Sequence, residues 1–406
     1  MSARKKIVIL GFGQRGQIYA GYAKAYPDKF EVAAVVDTDP EKRALAARGY
    51  NCPVYADTAS YFNAPVRADA AAVAVRDCDH LEAALQCMKA GYDILLEKPV
   101  ACTLDDCLRL EAEAKKHKSK IVVCHVLRYA PFYSRIKEIL DEGVLGDIIN
   151  IHASENVGFW HQAHSFVRGP WKNSAESAPM ILAKCCHDMD ILRWLIGKKP
   201  LSVSSYGGLA HFNERNAPAG AADMCSGCAV KNCVYNAQNF YTQAQRRWMA
   251  GYFCNGEKTE STILSALKGT QYDRCVYKSG NDVVDHQVTI LQFGGGATAC
   301  HTMTAFSKEC YRDIKIYGTK GEIAGIFEEN RFEVRPFAGE KYTIETAAVG
   351  FCGNHGGGDE KLMDRFYNIL CGSEGRGASY LDVSMDSHKM AFGAEQSRLT
   401  GKIVEI

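Results

Sequence analysis

The residues best suited to chemistry near the start of the chain are the glycines of Gly11-Phe12-Gly13-Gln14-Arg15-Gly16. They follow an apolar run at 6–10 that is typical of a buried strand, and they precede a helix-compatible stretch at 17–25. In this context the first glycine permits a tight turn, the second lets backbone N–H groups approach a pyrophosphate, and the third allows close packing of helix on strand. The segment therefore predicts a dinucleotide-binding turn in which residues 11–16 contact the cofactor.

An acidic residue lies where such a fold binds the adenosine ribose. The second predicted strand, 31–36, ends at Asp37, 21 residues after Gly16. A carboxylate there accepts hydrogen bonds from the ribose hydroxyls and repels a ribose 2′-phosphate, so we predict NAD in preference to NADP. The alternative is that Asp37 only caps the turn into the next helix.

Polar residues also follow two further predicted strands, 70–75 and 93–96. They are Arg76, Asp77 and His80 after the first strand, and Glu97, Lys98 and Pro99 after the second. The carboxyl ends of parallel strands are where a doubly wound sheet binds ligands, so we expect these side chains at the cofactor site. Lys98 has the charge to polarise a hydroxyl or carbonyl oxygen, and Pro99 can fix its direction through a cis peptide. The alternatives are ordinary helix-start residues at 77–80 and a surface lysine.

Strands and helices alternate through the first part of the chain, which is typical of a parallel sheet. A helix of about ten residues is predicted from His80, between the strands at 70–75 and 93–96. We therefore predict an α/β fold whose N-terminal unit is a Rossmann domain with a doubly wound parallel sheet.

The composition excludes several classes of protein. With 48 basic and 47 acidic residues in 406, the net charge of +1 offers no broad attraction for a polyanion, so nucleic acid is not expected as a partner. No secretory cleavage site and no apolar run of about 18 residues is evident, which argues against a membrane protein. Seventeen cysteines without a secretory signal favour a reducing compartment, and we predict a cytoplasmic protein.

Three cysteines have a spacing that is typical of metal ligands. Cys225-x2-Cys228-x4-Cys233 resembles a structural zinc knuckle or a cluster-binding turn, but it lacks a fourth ligand. We prefer His211 for that position, with Cys254 as another possibility. The alternative is that these are ordinary free cysteines.

A further stretch, 155–172, concentrates aromatic and basic side chains that suit a sugar ring with its C–H faces and hydroxyl groups. The candidate substrate residues are Trp160, His161, His164, Arg168, Trp171 and Lys172. Core or interface positions are the alternative for the two tryptophans. His161 and His164 could also bind a metal, although two histidines are a weak signal.

The order of five motifs resembles the Gfo/Idh/MocA family of sugar and inositol oxidoreductases. The motifs are GFGQRG at 11–16, Asp37, EKP at 97–99, CHVLRY at 124–129 and KCCHDMDILRWL at 184–195. The resemblance implies a Rossmann domain at 1–125 and an α/β domain at 126–406 whose large, open, mostly antiparallel sheet often mediates oligomerisation. It also implies that Arg128 belongs to the cofactor site, that the protein forms a homo-oligomer, and that the Cys-rich stretch at about 211–256 is an addition to the common pattern.

By the same resemblance, Lys98 and His187 face the nicotinamide. His187 would take the hydroxyl proton while Lys98 stabilises the developing alkoxide. A helix predicted over 180–196 puts Lys184, His187 and Asp188 on one face, and the alternative is a solvated helix with an incidental Lys184–Asp188 ion pair. Many family members have an aspartate where this chain has Ala183, and we hypothesise that Asp188 compensates.

The resemblance implies an NAD(P)-dependent dehydrogenase or reductase that acts on a secondary hydroxyl of a sugar, an inositol or a sugar derivative. An alternative is a glycoside hydrolase that uses a retained NAD to oxidise its substrate transiently, and a further alternative is a non-catalytic NAD-binding regulator.

In the last quarter, strands are predicted at 286–293, 297–304 and 313–317, with antiparallel pairing. A helix is predicted at about 360–371, with Asp359 as its N-cap and His355 as a candidate for substrate binding.

Overall fold

The apolar runs at the start of the chain form a six-stranded parallel sheet in the computed structural model, which describes residues 4–347, 354–373 and 377–406. The strands are β1 (Lys5–Leu10), β2 (Phe30–Val36), β3 (Val54–Tyr55), β4 (Ala70–Val73), β5 (Asp93–Leu96) and β6 (Ile121–Val123). Their order is β3-β2-β1-β4-β5-β6, and every neighbouring pair is parallel. This is the doubly wound order, in which the sheet reverses direction beside β1, so the predicted Rossmann fold is confirmed.

Helices connect these strands and cover both faces of the sheet. They are α1 (Gln14–Ala25), α2 (Pro40–Tyr50), α3 (Thr58–Asn63), α4 (His80–Lys89) and α5 (Leu104–His117). Helix α1 begins three residues earlier than predicted, because the glycine turn itself forms the N-terminus of the helix, with Gly13 as its N-cap. Residues 11–16 therefore lie directly at a helix N-terminus.

The second half of the chain forms a nine-stranded sheet. Its strands are β7 (Ile148–Gly158), β8 (Pro200–Gly208), β9 (His286–Phe293), β10 (Thr298–Ser307), β11 (Tyr311–Gly318), β12 (Gly321–Ile326), β13 (Arg331–Pro336), β14 (Tyr342–Glu345) and β15 (Val404–Glu405). The order is β14-β13-β12-β11-β7-β10-β9-β8-β15, and all neighbours are antiparallel except β7 and β10. The predicted large, mostly antiparallel sheet is confirmed, including the three strands expected in the last quarter. Exposed and buried residues alternate along β9, so one face of the sheet is packed and the other is open.

The remaining helices are α6 (Pro131–Asp141), α7 (Phe159–His161), α8 (Met180–Ala183), α9 (Cys186–Ile196), α10 (Ala237–Thr242), α11 (Glu260–Leu267), α12 (Gly358–Leu370) and α13 (Leu381–Thr400).

The helix predicted over 180–196 is broken into two pieces, α8 and α9, and this prediction was wrong. The backbone leaves the helical ladder at Lys184 and Cys185. The break frees the carbonyl of Ala183, which would bond to the amide of His187 in a continuous helix and instead accepts a hydrogen bond from the Lys98 ammonium group.

Two C-terminal helices return to the first domain. Apolar side chains of α12 pack with Phe12 and Phe30, and the first turns of α13 join the core beside β5. An isolated antiparallel bridge joins Val122 of β6 to Tyr380. The division into 1–125 and 126–406 stays a prediction, because residues after 354 contribute to the core of the first domain. Among the helices in the described ranges, none has the length and apolar character needed to cross a bilayer.

The expected N-cap role of Asp359 was wrong. Helix α12 begins one residue before it, and its N-cap is Gly357, whose φ is 87°. The Asp359 carboxylate accepts hydrogen bonds from Arg15 and His355 instead, since burial in the first helical turn places it between two donors.

Candidate active site

The glycine turn leaves open space only at its middle glycine. A Cβ on Gly11, whose φ is 89°, would lie 2.3 Å from the Ala74 carbonyl oxygen, and one on Gly16 would lie 2.0 Å from the Gly11 carbonyl oxygen. A Cβ on Gly13 would meet no described atom within 4 Å. The outer glycines are therefore required by packing, whereas the middle one exposes backbone at the N-terminus of α1, where a pyrophosphate is favoured.

Asp37 lies at the end of β2 and holds the turn. Its Oδ2 accepts the Phe12 amide at 2.7 Å and its Oδ1 accepts the Asp39 amide at 2.9 Å. Each carboxylate oxygen has a second lone pair, so acceptor capacity remains for ribose hydroxyls. The N-cap of α2 is Asp39, which accepts the Glu41 and Lys42 amides, so Asp37 does not cap that helix.

Lys98 and His187 approach each other at the carboxyl end of β5. The Lys98–Pro99 peptide is cis, and Lys98 Nζ donates to the Ala183 carbonyl at 3.1 Å. His187 lies in the first turn of α9 and is 5% exposed. Burial, followed by the charge of Lys98, lowers the pKa of His187 well below its ordinary value. The imidazole is therefore neutral at pH 7, and its Nδ1 has no hydrogen-bond partner among the described residues.

Two further histidines surround His187. The ring centroids of His125 and His355 each lie 5.9 Å from that of His187. His125 is buried 3.8 Å from a carboxylate oxygen of Asp190, and burial lowers its pKa to about 3 despite that carboxylate. The sequence places His125 in the CHVLRY motif but predicts no role for it, because its neighbours come from helices distant in the chain.

A buried network of charges flanks the other side of α9. Arg312 Nε donates to Asp188 Oδ1 at 2.9 Å, and its guanidinium also pairs with Glu155 of β7. Lys184 Nζ lies 3.4 Å from the other oxygen of Glu155. Lys184 and Asp188, which were predicted to share one helix face, therefore have different partners. Lys184 lies next to Glu155, and Asp188 accepts from Arg312 rather than from His187. Sequence reasoning missed Glu155 and Arg312, which lie on two different strands.

The side chains of Arg15 and Glu97 are bonded to each other beneath the glycine turn. Arg15 donates to Glu97 Oε1 and to Asp359 Oδ1, each at 2.5 Å, and Glu97 also accepts the Tyr19 hydroxyl. Burial raises the pKa of Asp359, but the hydrogen bond from His355 and the charge of Arg15 outweigh it and bring the value to about 2. These two predicted cofactor residues therefore tie α12 and His355 to the turn.

The other strand-end residues have protein partners. Arg128 forms two 2.5 Å bonds to Asp190 and is buried, while Asp77 accepts Trp171 Nε1 at 3.0 Å. His80 Nδ1 lies 2.7 Å from the Pro99 carbonyl oxygen. Arg76 is exposed next to them, and Gln14 is exposed on the glycine turn. Asp77 thus joins the first domain to Trp171 of the second, whereas Arg128 is paired within the second domain.

The candidate substrate residues separate into two groups, because residues 162–168 form a π-helix that turns some of them away. His161 lies close enough to the cations of the site to be affected by them: burial and then the charge of Lys184 lower its pKa well below the ordinary value, with a smaller contribution from Lys98. Trp171 contacts Asp77. Trp160 packs against the insert core, His164 bonds to Tyr241 at 3.0 Å, Arg168 donates to two carbonyls, and Lys172 donates to the Ser279 carbonyl at 3.1 Å.

The three predicted metal ligands of the insert lie together, but His211 does not join them. Cys225, Cys228 and Cys233 line one pocket, and the fourth cysteine in its wall is Cys275. His211 Nε2 is instead 3.4 Å from the Tyr277 hydroxyl, outside that wall. Cys275 was missed because it lies 42 residues after Cys233.

Comparisons with known proteins agree with this architecture. A family model described as an oxidoreductase family with an NAD-binding Rossmann fold matches residues 5–125. A second, for the C-terminal alpha/beta domain of the same family, matches residues 137–385.

Relatives and solved structures resemble the chain at different lengths. A putative oxidoreductase, YteT of Bacillus subtilis, is 28% identical over 91% of this chain and 92% of its own. Inositol 2-dehydrogenase 2 of Saccharopolyspora erythraea is 30% identical over 49% of this chain and 56% of its own, so that match spans about half of each protein. Levoglucosan dehydrogenase in complex with NADH and levoglucosan has a TM-score of 0.71 at 16% identity, covering 99% of both chains.

A WlbA dehydrogenase from Bordetella pertussis, solved with NADH and UDP-GlcNAcA, has a TM-score of 0.70 at 16% identity and likewise covers 99% of both chains. At such identities the likeness concerns the fold. The two family models together match most of the sequence, in both domains. The chain belongs to the Gfo/Idh/MocA oxidoreductase family.

Proposed function

We propose that this protein is an NAD-dependent oxidoreductase that acts on a secondary hydroxyl of a sugar, a cyclitol or a sugar derivative. The observation that carries the proposal is the meeting of Lys98 with a neutral, buried His187 at the carboxyl end of β5. In an open α/β sheet this is the edge at which ligands bind. The activities named for the inositol and levoglucosan dehydrogenases support the same class of substrate.

The residues around the glycine turn fit NAD. Gly13 offers backbone that no described side chain covers, at the N-terminus of a helix whose N-cap lacks a side-chain bond. Asp37 retains acceptor capacity for ribose hydroxyls, and its charge disfavours a 2′-phosphate. When bound, NAD supplies the acceptor for the hydride that leaves the carbinol carbon.

Two residues of the chain accept the hydroxyl proton and stabilise the negative charge that develops on the oxygen. His187, being neutral, accepts the hydroxyl proton as the C–O bond becomes a carbonyl. Lys98 stabilises the negative charge that develops on the oxygen, and its bond to the Ala183 carbonyl directs the ammonium group. Burial of His187 keeps water from competing for the proton.

The absence of an aspartate at position 183 changes how His187 is oriented. Its Nδ1 has no acceptor in the described part of the chain, and Asp188 is bonded to Arg312. We propose that packing against His125 and His355, rather than a carboxylate, orients the ring. His161, Trp171 and Lys184 are the proposed substrate contacts, since the charges of Lys184 and Lys98 act on His161 and Trp171 is bonded to Asp77 after β4.

A second candidate function is a redox-assisted glycoside hydrolase, in which the hydride returns to the sugar after the leaving group is eliminated. The observation that favours it is the contact between the insert and the glycine turn. Tyr252 donates to the Gln14 side chain at 3.1 Å, and Asn255 donates to Glu41 of α2 at 2.9 Å. Contacts that cover the turn suit a cofactor that stays bound through many turnovers.

One experiment distinguishes the dehydrogenase from the redox-assisted hydrolase. The purified protein is incubated with NAD and a panel of sugars, inositols and aryl glycosides, while NADH absorbance and aglycone release are followed together. Net NADH supports the dehydrogenase, and aglycone release without net NADH supports the hydrolase. A calorimetric titration in which neither NAD nor NADP binds would contradict both and leave no cofactor role for the turn. Lys98→Met is the matched control, because it removes the charge at the reacting oxygen and should abolish either signal.

The expected homo-oligomer and the cytoplasmic location stay predictions. The open face of the nine-stranded sheet supports the former, since Tyr206, Val288 and Ile290 are exposed there on neighbouring strands.

A further inference from the structure

A short backbone pairing brings a fourth cysteine to the three-cysteine motif. Met224 and Arg274 form an isolated antiparallel bridge, and the Cys275 amide donates to the Asp223 carbonyl at 2.9 Å. Cys225 and Cys275 are therefore neighbours across this bridge, although 50 residues separate them. Buried Asp273 reinforces the junction by accepting the amide and the hydroxyl of Ser226 at 2.9 and 2.6 Å.

The four thiols then line one small pocket. Cys225, Cys228, Cys233 and Cys275 all belong to its wall, together with apolar groups such as Pro218 and Val230. Cys225 begins a tight turn in which the Cys228 amide donates to the Cys225 carbonyl at 3.2 Å. This arrangement brings cysteines from two turns of the chain to one pocket, and thiolate metal sites draw their ligands from such turns.

A buried arginine next to the pocket lacks a carboxylate. Arg168 is 1% exposed and donates to the carbonyls of Arg274 and Tyr235 at 2.7 and 2.6 Å, with the Cys225 sulfur at 3.6 Å. No carboxylate oxygen in the described ranges lies within 4.0 Å of its guanidinium. A buried cation needs an opposite charge, and carbonyl dipoles alone do not neutralise it.

We propose that Cys225, Cys228, Cys233 and Cys275 hold a metal centre through four thiolates, with Arg168 as the buried counter-charge. Four thiolates around a divalent ion carry a net charge of −2, which a neighbouring guanidinium stabilises. On binding, four S–H bonds are replaced by four bonds from sulfur to metal, and the protons leave to solvent. The centre is distinct from the candidate active site, and the inference does not depend on the proposed reaction.

Zinc and an iron–sulfur cluster share this ligand chemistry. In the structure no three of the four sulfurs lie within 4.8 Å of one another. Tetrahedral zinc–sulfur bonds of ~2.3 Å hold sulfurs about 3.8 Å apart, so zinc requires some thiols to rotate about χ1. A cluster takes one thiolate on each of several irons and accommodates wider spacing.

Another group with potential ligands is less suited to a cation. Cys185, Asp188 and His301 have donor atoms within 4.8 Å of one another. The Arg312 guanidinium occupies Asp188 Oδ1 at 2.9 Å, and its charge opposes a metal ion at that position. The four-cysteine pocket has no such competitor, since its neighbouring cation favours the anionic thiolates.

The test begins with metal analysis of the full chain, purified without chelator and without oxygen. We expect about one equivalent of zinc, or iron with acid-labile sulfide and visible charge-transfer absorption, and each of these results supports the centre. Less than about half an equivalent of either metal would overturn it.

Single variants identify the fourth ligand. Cys275→Ser should lose at least about tenfold in metal affinity, whereas Cys254→Ser and His211→Asn, from the same insert, should retain the metal. Retention by Cys275→Ser would refute the assignment.

If Cys275→Ser does not fold, X-ray absorption spectroscopy of the wild-type protein identifies the atoms bound to the metal. A shell of sulfur alone supports the four thiolates, and nitrogen in the shell contradicts them.

Discussion

Two buried regions of the second domain neutralise their arginines in different ways. Beside α9, Arg128 donates two hydrogen bonds to Asp190, and Arg312 forms ion pairs with Asp188 and Glu155. In the π-helix at 162–168, beside the insert, Arg168 is equally buried but meets two carbonyls and a cysteine sulfur. In the first region carboxylates of the chain neutralise the arginines, whereas in the second we propose that thiolates do so.

The difference follows from what each region has to do. Beside α9 the two aspartates are bonded to arginines rather than to Lys98 or to the neutral His187. In the insert the segments are short and irregular, and a metal can cross-link them where few regular elements pair.

The largest effect should come from His187→Asn, which sharpens the comparison by locating chemistry beside α9. We expect kcat to fall about 10²- to 10⁴-fold with NAD affinity changed little, because a base is lost while the glycine turn is intact. His164→Asn, in the π-helix that packs against the insert, is the control and should change kcat by less than about tenfold in the folded protein. Steady-state kinetics on the substrate found in the panel measure both. Equal losses in the two variants would break the comparison.

The next effect concerns the buried arginines themselves. Asp190→Asn leaves Arg128 without its counter-charge and should lower the free energy of unfolding by about 3–5 kcal/mol. Arg168→Met, beside the insert, should cost less, about 1–3 kcal/mol, and should weaken metal retention. Urea titrations give the free energies, and Asp141→Asn, in a surface ion pair, serves as a control within about 0.5 kcal/mol. A larger cost for Arg168→Met than for Asp190→Asn would show that charge compensation does not separate the regions.

The smallest effect is a dependence of stability on pH that both regions share. Burial lowers the pKa of His125 beside α9 and of His164 beside the insert to about 3 in the folded state, against about 6.5 unfolded. The unfolded state therefore binds protons first, and stability is lost as pH falls from about 6.5 toward 3.

At pH 5 the free energy of unfolding should be lower than at pH 7 by about 2 kcal/mol for each of these histidines. Urea titrations of the wild type, His125→Gln and His164→Phe measure the slopes, and each variant should be less pH-sensitive than the wild type. A variant with an unchanged slope would show that its histidine is not buried in the neutral form.

Local pattern was sufficient for the framework of the protein. The apolar runs and the glycine turn predicted four of the six strands of the parallel sheet and the presence of α1, because backbone preference and strand periodicity act over a few neighbouring residues. The strand-like run at 286–293 likewise predicted an antiparallel strand. The split at Lys184 and Cys185 escaped prediction, because the hydrogen bond from Lys98 that accompanies it comes from another domain.

By itself, the sequence determined the central strands of the first sheet and three strands of the second, where the glycine turn lies, and which ordered motifs mark the family. Only the tertiary structure decided the partners of the charged side chains. Arg15 meets Asp359 across 344 residues, and Asp188 is taken by Arg312 across 124 residues. Cys275 reaches Cys225 through a bridge that no local pattern encodes. Such pairings depend on how distant elements pack, because a buried charge or thiol bonds to whichever complementary group the fold delivers.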